Sequence, residues 1–181
     1  MADPAAHDSR ADTTGDENVG VSSPLELLAV AVLLAVPVAV VPSGSGGITL
    51  VSLWGFVNTG GTGAVSDAEL YPIWSYFADG TLRFATLPSS IRVWPVALGF
   101  HLLAVASAAG GVVLGREDRR VTGGLLVLGA LASLWVTIGV AERFGVSRTV
   151  GWLAVLPTGA AATLVVALVG YGSDLREGLR R

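Results

Sequence analysis

Cysteine and lysine are absent from the 181 residues, and there are only two histidines, His7 and His101. Without thiols there are no disulfides, thiolate nucleophiles or Cys-ligated metals. A histidine metal centre would need carboxylate help, and none clusters with either imidazole along the chain. Charge is scarce as well: Asp, Glu and Arg make up 14% of the chain, against roughly 25% in an average soluble domain. The eleven basic residues are all arginine, and fourteen carboxylates bring the net charge to −3. An acidic, Lys-free, Ala/Val/Gly-rich chain fits a halophilic archaeon, and high-GC codon usage gives much of the same bias.

What the chain does have is hydrophobicity. Apolar residues make up 52% and mean hydropathy is +0.67. A soluble protein of this length would need far more polar surface to cover its core. The apolar residues collect in four blocks, so the sequence predicts an all-α, multi-pass integral protein of the cell membrane. Its expected fold is a four-helix transmembrane bundle with spans at about 24–41, 93–114, 121–141 and 150–171. The first block, at about 1.5 Å per residue, reaches roughly 27 Å, just enough for a hydrocarbon core. Ser23 suits the N-cap, Pro24 the first helical position, and Glu26 the positive end of the helix dipole. Pro37 and Pro157 predict kinks. A cleaved signal sequence is the alternative reading of the first block, although an acidic leader suits it badly.

Residues 1–23 read as a disordered acidic tail: Asp3, Asp8, Asp12, Asp16 and Glu17 face Arg10 alone. Residues 172–181 read as a basic tail. Arginine placement puts Arg10, Arg116, Arg119, Arg120, Arg176, Arg180 and Arg181 on one side and Arg83, Arg92, Arg143 and Arg148 on the other, which predicts both termini in the cytoplasm. Arg116, Arg119, Arg120, Arg176, Arg180 and Arg181 are then topology anchors, with binding of phosphate headgroups as the functional alternative.

The connection 42–92 becomes an extracytoplasmic cap, because a structureless loop of that length is improbable in a compact protein. Ile48 to Val57 is too short to span and predicts an extended or interfacial segment. Leu70, Ile73, Trp74 and Phe77 form a helical stripe, which Pro72 delays to about residue 71. Ser66 and Glu69 have capping-box spacing, and Gly80 could end the helix. Trp54, Trp74, Tyr76 and Phe77 are expected at headgroup depth.

Ser107, Gly111 and Gly115 recur every four residues, as do Gly129, Ser133, Thr137 and Ala141. Small residues so spaced let two helices approach closely in lipid, and a Gly-lined solute path is the functional alternative. His101 is the one ionisable group well inside a span: either a neutral imidazole bonded to a neighbouring helix or a proton-handling site. No catalytic motif, metal site or phosphate loop is present, so no cofactor is expected. Asp67, Glu69 and Asp79 read as solvated or capping carboxylates. Nucleic acid is an improbable partner for an acidic membrane chain.

Three strings carry a resemblance: Leu53-Trp54-Gly55-Phe56-Val57-Asn58, Arg92-Val93-Trp94-Pro95 and Leu114-Gly115-Arg116-Glu117-Asp118-Arg119-Arg120-Val121. Over about residues 24–171 the chain resembles a haloarchaeal group of small four-helix membrane proteins encoded near archaeosortase A. That group has no assigned activity, so the resemblance implies association with surface-protein processing or lipid anchoring and no catalytic residues. Archaeosortase itself rests on Cys, Arg and His, and this Cys-free chain cannot be that enzyme. The leading expectation is a non-catalytic accessory whose partners are the lipid bilayer and another membrane or surface-processing protein. The rivals are a small transporter or channel subunit using His101, and an enzyme working through Asp or Arg groups at the outer surface.

Overall fold

A computed structural model describes residues 23–42, 47–59, 68–78, 87–115, 117–143 and 155–180. The elements in chain order are α1 (Pro24–Val32), β1 (Ala39–Pro42), β2 (Ile48–Ser52), β3 (Gly55–Asn58) and β4 (Glu69–Pro72). Then come α2 (Ile73–Ala78), α3 (Ser89–Arg92), α4 (Trp94–Leu114), α5 (Arg119–Arg143) and α6 (Thr158–Leu179).

The uninterrupted apolar runs give α4 and α5 within two residues of the expected bounds. Pro95 sits in the first turn of α4, where its missing N–H costs nothing, and Gly115 ends the helix in the left-handed conformation. With α3 joined to α4, three helices among the described residues are long and apolar enough to cross a membrane: Ser89–Leu114, Arg119–Arg143 and Thr158–Gly178.

The expected four-helix bundle needs correction at its first member. Ser23 and Glu26 do form a capping box at the start of α1, but the helix stops after nine residues. It tightens through turns up to Val36, because Pro37 lacks the N–H that would continue the ladder. The β-branched run that follows becomes a strand. Glu26 meets Arg119 at one end of α5, and Val38 meets Thr137 eighteen positions further along it. That is about 27 Å of helix rise, whereas the twelve residues from Glu26 to Val38 would climb only about 18 Å as regular helix. The chain covers the height by changing from helix to extended backbone.

A break of this kind in lipid requires that every freed backbone group find a partner within the protein. Here the partners are specific. The Trp54 indole N–H donates to Leu34 O at 3.0 Å, and the Thr158 hydroxyl donates to Pro37 O at 2.7 Å. Val38 O accepts from Gly159 N at 3.3 Å and from the Thr137 hydroxyl at 3.4 Å.

The expected all-α fold with a loop cap is corrected as well: a four-stranded antiparallel sheet forms in the order β1-β2-β3-β4. Val40 pairs with Leu50, Val51 with Phe56 and Val57 with Leu70. An isolated bridge from Val40 to Leu156 ties the sheet edge to the entry of α6. Gly55 is required at the β2–β3 turn, since its φ of 152° and the nearby Tyr71 and Pro72 backbone leave no room for a side chain. The helical stripe at Leu70–Phe77 divides: Leu70 and Pro72 belong to β4, and only the part from Ile73 is helical. The Ser66 cap, Asp67, Asp79 and Gly80 lie outside the described residues.

The fourth predicted span also moves. Pro157 prevents the expected helix from running through it, so α6 starts at Thr158 and continues through the predicted tail to Leu179. Buried apolar residues form two clusters. One joins the sheet to the bundle through Val38, Val51, Leu53, Ile91, Trp94, Ala97, Val136 and Val140. The other, Val30, Leu33, Ala104, Leu126, Ala167 and Tyr171, fills the bundle between α1 and α6.

The break gives a steric prediction. A Cβ at Gly159 would lie 2.7 Å from Val38 Cα and 3.0 Å from Pro37 O, backbone atoms that cannot rotate away. Gly159→Ala is expected to lower stability by about 1–3 kcal/mol, as overpacking typically does. Thermal unfolding in detergent measures it, with Gly99→Ala as a control at a position with open space around it.

Candidate functional site

Charged groups gather where α1, α5 and α6 meet. Arg119 opens α5, and its guanidinium spans Glu26 with bonds of 2.9 and 3.0 Å, the bidentate geometry that suits a planar fork and a carboxylate. Its Nε donates to Asp174 at 3.2 Å and Nη2 to Gly170 O at 2.7 Å. The same guanidinium lies 5.0 Å from the centre of the Tyr171 ring. One side chain therefore ties α1 to α6 from α5. The pair is partly exposed, at 20% for Arg119 and 28% for Glu26, which tempers its strength.

Beside it, Glu117 lies in the turn between α4 and α5. Its Oε1 accepts from the Thr122 hydroxyl at 2.9 Å, and Thr122 meets Ser107 of α4 at 2.7 Å. Burial pushes the Glu117 carboxyl above the ordinary range for Glu, against the pull of the Thr122 hydrogen bond and of Arg119. Arg120 pairs with exposed Glu177 at 3.3 Å. Of the other expected anchors, Arg176 and Arg180 are exposed, and Arg116 and Arg181 lie outside the described residues.

His101 is buried midway along the bundle. Nδ1 is 2.8 Å from Ala97 O and Nε2 is 3.0 Å from the Thr163 hydroxyl, so the imidazole links α4 to α6. It also packs on Gly129, where a Cβ would lie 2.9 Å from Cε1. The buried side chains of Ala104, Leu126 and Ala167 lie between His101 and the Arg119 cluster. Ser133 and Thr137 are buried further along α5, with Thr137 donating to Ser133 O at 2.8 Å. Gly111 is buried in α4. Gly115 has nothing within 4 Å of a Cβ, and its φ of 62° makes it a turn residue. Tighter approaches that the four-residue spacing did not single out occur at Gly123 against Tyr171 and at Gly139 against Ser90.

At the other end of the bundle several large side chains of the cap are exposed among the described residues. Leu70 is 69% exposed, Trp74 62%, Tyr71 42% and Trp54 40%. Tyr76 and Phe77 fall in α2. Trp94 is buried beneath the sheet, and its indole donates to Ser52 O at 3.1 Å. Among the described residues no three His, Asp or Glu side chains come together as metal ligands.

These features define a class: a mostly helical chain with three membrane-length apolar helices and a four-stranded sheet packed at one end. The family model for a domain of unknown function, DUF8050, matches residues 5–181, so the chain belongs to that family. No curated protein and no solved structure matches it.

Arg119→Gln leaves Glu26 partly buried without its counter-charge, and Glu26→Gln leaves Arg119 with Asp174 alone. Arg119→Gln and Glu26→Gln are each expected to cost about 1–3 kcal/mol, between the values for exposed and buried pairs. In a double-mutant cycle the two losses should be markedly less than additive, and additivity would show that the pair is not coupled.

Proposed function

We propose that this protein is a non-catalytic integral membrane accessory, and that its sheet cap receives a membrane or surface-processing protein. The supporting observation is the exposure of Leu70 and Trp74, two large apolar side chains of the cap, with Trp54 and Tyr71 partly exposed as well. The lipid-facing side chains of the long helices have hydrocarbon to cover them, whereas a sheet face beyond the helices has only headgroups or a partner. The resemblance supplies the setting, surface-protein processing or lipid anchoring in a haloarchaeal membrane. In this reading the 24–42 segment makes a fourth crossing as helix and strand, which puts both termini on the cytoplasmic side. A transporter built around His101 is the weaker reading. The imidazole is held by Ala97 O and Thr163 against Gly129, and the apolar side chains of Ala104, Leu126 and Ala167 close the bundle on one side of it.

Gene deletion followed by complementation tests the proposal. Wild-type protein should restore surface-protein processing or lipid attachment in the deletion strain. A Leu70→Ser/Trp74→Ser variant present in the membrane at the same level should restore severalfold less. Equal restoration by that variant, or no processing defect on deletion, would contradict the role of the cap.

A further inference from the structure

Three buried side-chain oxygens have no hydrogen-bond partner among the described residues: Glu117 Oε2, Ser133 Oγ and Tyr171 Oη. Two of them belong to the same cluster. The Glu117 carboxyl and the Tyr171 hydroxyl are neighbours that act on one another, yet no well-formed hydrogen bond joins them. Tyr171 is only 1% exposed, so its hydroxyl is shut off from bulk water. A bare buried carboxylate oxygen is expensive and tends to be neutralised.

Among the described residues the neighbouring cations are already committed. Arg119 spends Nε on Asp174, Nη1 on Glu26 and Nη2 on Glu26 and Gly170 O. Arg120 is turned to Glu177. Glu26 and Asp174 thus have a guanidinium, and Glu117 has only the Thr122 hydroxyl on its other oxygen. We propose that Glu117 Oε2 and the Tyr171 hydroxyl form a proton-binding site at the junction of α1, α6 and the α4–α5 turn. The proton resides on Oε2, and the resulting O–H donates to the Tyr171 oxygen after a small closing movement. When the proton leaves, the phenol O–H becomes the donor to the carboxylate.

Every packed element contributes a group that faces this site. Glu26 of α1 favours the proton, and Arg119 and the Thr122 hydroxyl of α5 oppose it. Ser107 of α4 touches Thr122, and Tyr171 and Asp174 come from α6. Because Glu117 takes up its proton more readily in the folded bundle than in the unfolded chain, the sign of the linkage is fixed. Glu117's own contribution to stability is greatest below the ordinary Glu pKa, falls as pH rises from that value to the raised one, and is level above it.

Difference infrared spectroscopy on the full chain in lipid tests the site. A protonated-carboxyl C=O band should titrate above the ordinary Glu value of about 4.3 and vanish in Glu117→Gln. Two further variants carry signs. Tyr171→Phe should keep the band and move its midpoint upward, because the ionised form loses its donor. Glu26→Gln should move the midpoint down, because a neighbouring negative charge is removed and Arg119 is freed. The proposal is overturned by any of four results: no such band, a band that survives Glu117→Gln, a midpoint at the ordinary value, or shifts of the wrong sign. A midpoint that falls with added Na⁺ but not K⁺ would place a metal ion there and also overturn it.

Discussion

The rest of the structure depends on how the backbone is satisfied where the first apolar segment breaks. In hydrocarbon no water caps a free carbonyl, so non-helical backbone survives only where the protein itself supplies donors. The indole of Trp54, the hydroxyls of Thr158 and Thr137 and the amide of Gly159 do this for Leu34, Pro37 and Val38. The donors come from three different elements: the β2–β3 turn, the start of α6 and the body of α5. The break is therefore also the joint at which cap and bundle are fastened. Its close contact explains why a glycine sits at 159, where backbone passes over backbone.

The two ends of the bundle are built on opposite principles. At the Arg119 end, one planar cation on α5 gathers carboxylates from α1 and α6 and a carbonyl from α6, and it lies near an aromatic ring. At the cap end, attachment is mainly apolar, through Val51, Leu53, Ile91 and Trp94. Between them His101, packed on a glycine, supplies a polar cross-link from α4 to α6. Such an arrangement holds the helices in place.

Much of the helical scaffold could be read from the sequence because α4 and α5 are apolar runs with clear ends. The capping box at Ser23 and Glu26 was equally legible, being local. The end of α1 was not. Ala39-Val40-Val41 suits a lipid-buried helix and a strand alike, and the donors that decide between them, Trp54, Thr137 and Thr158, lie far along the chain. Pro37 was the one local clue, and it ended the helix instead of kinking it. In the cap, the spacing of Leu70 to Phe77 looked helical throughout, and Pro72 marked the place where strand gives way to helix. The candidate site was visible only in pieces: Arg119 as an anchor, Glu26 as a capping residue. Their meeting is a long-range contact that spacing cannot show.

The 24–42 segment runs along the height of the bundle, part as helix and part extended, and the proposed fourth crossing needs its two ends on opposite faces of the membrane. The chain's lack of cysteine makes a direct measurement simple: single cysteines at Ser23→Cys, Pro42→Cys and Arg180→Cys, labelled with a membrane-impermeant thiol reagent from each face of sealed vesicles. The account predicts that Ser23→Cys and Arg180→Cys react from one face and Pro42→Cys from the other. Labelling of Ser23→Cys and Pro42→Cys from the same face would contradict it.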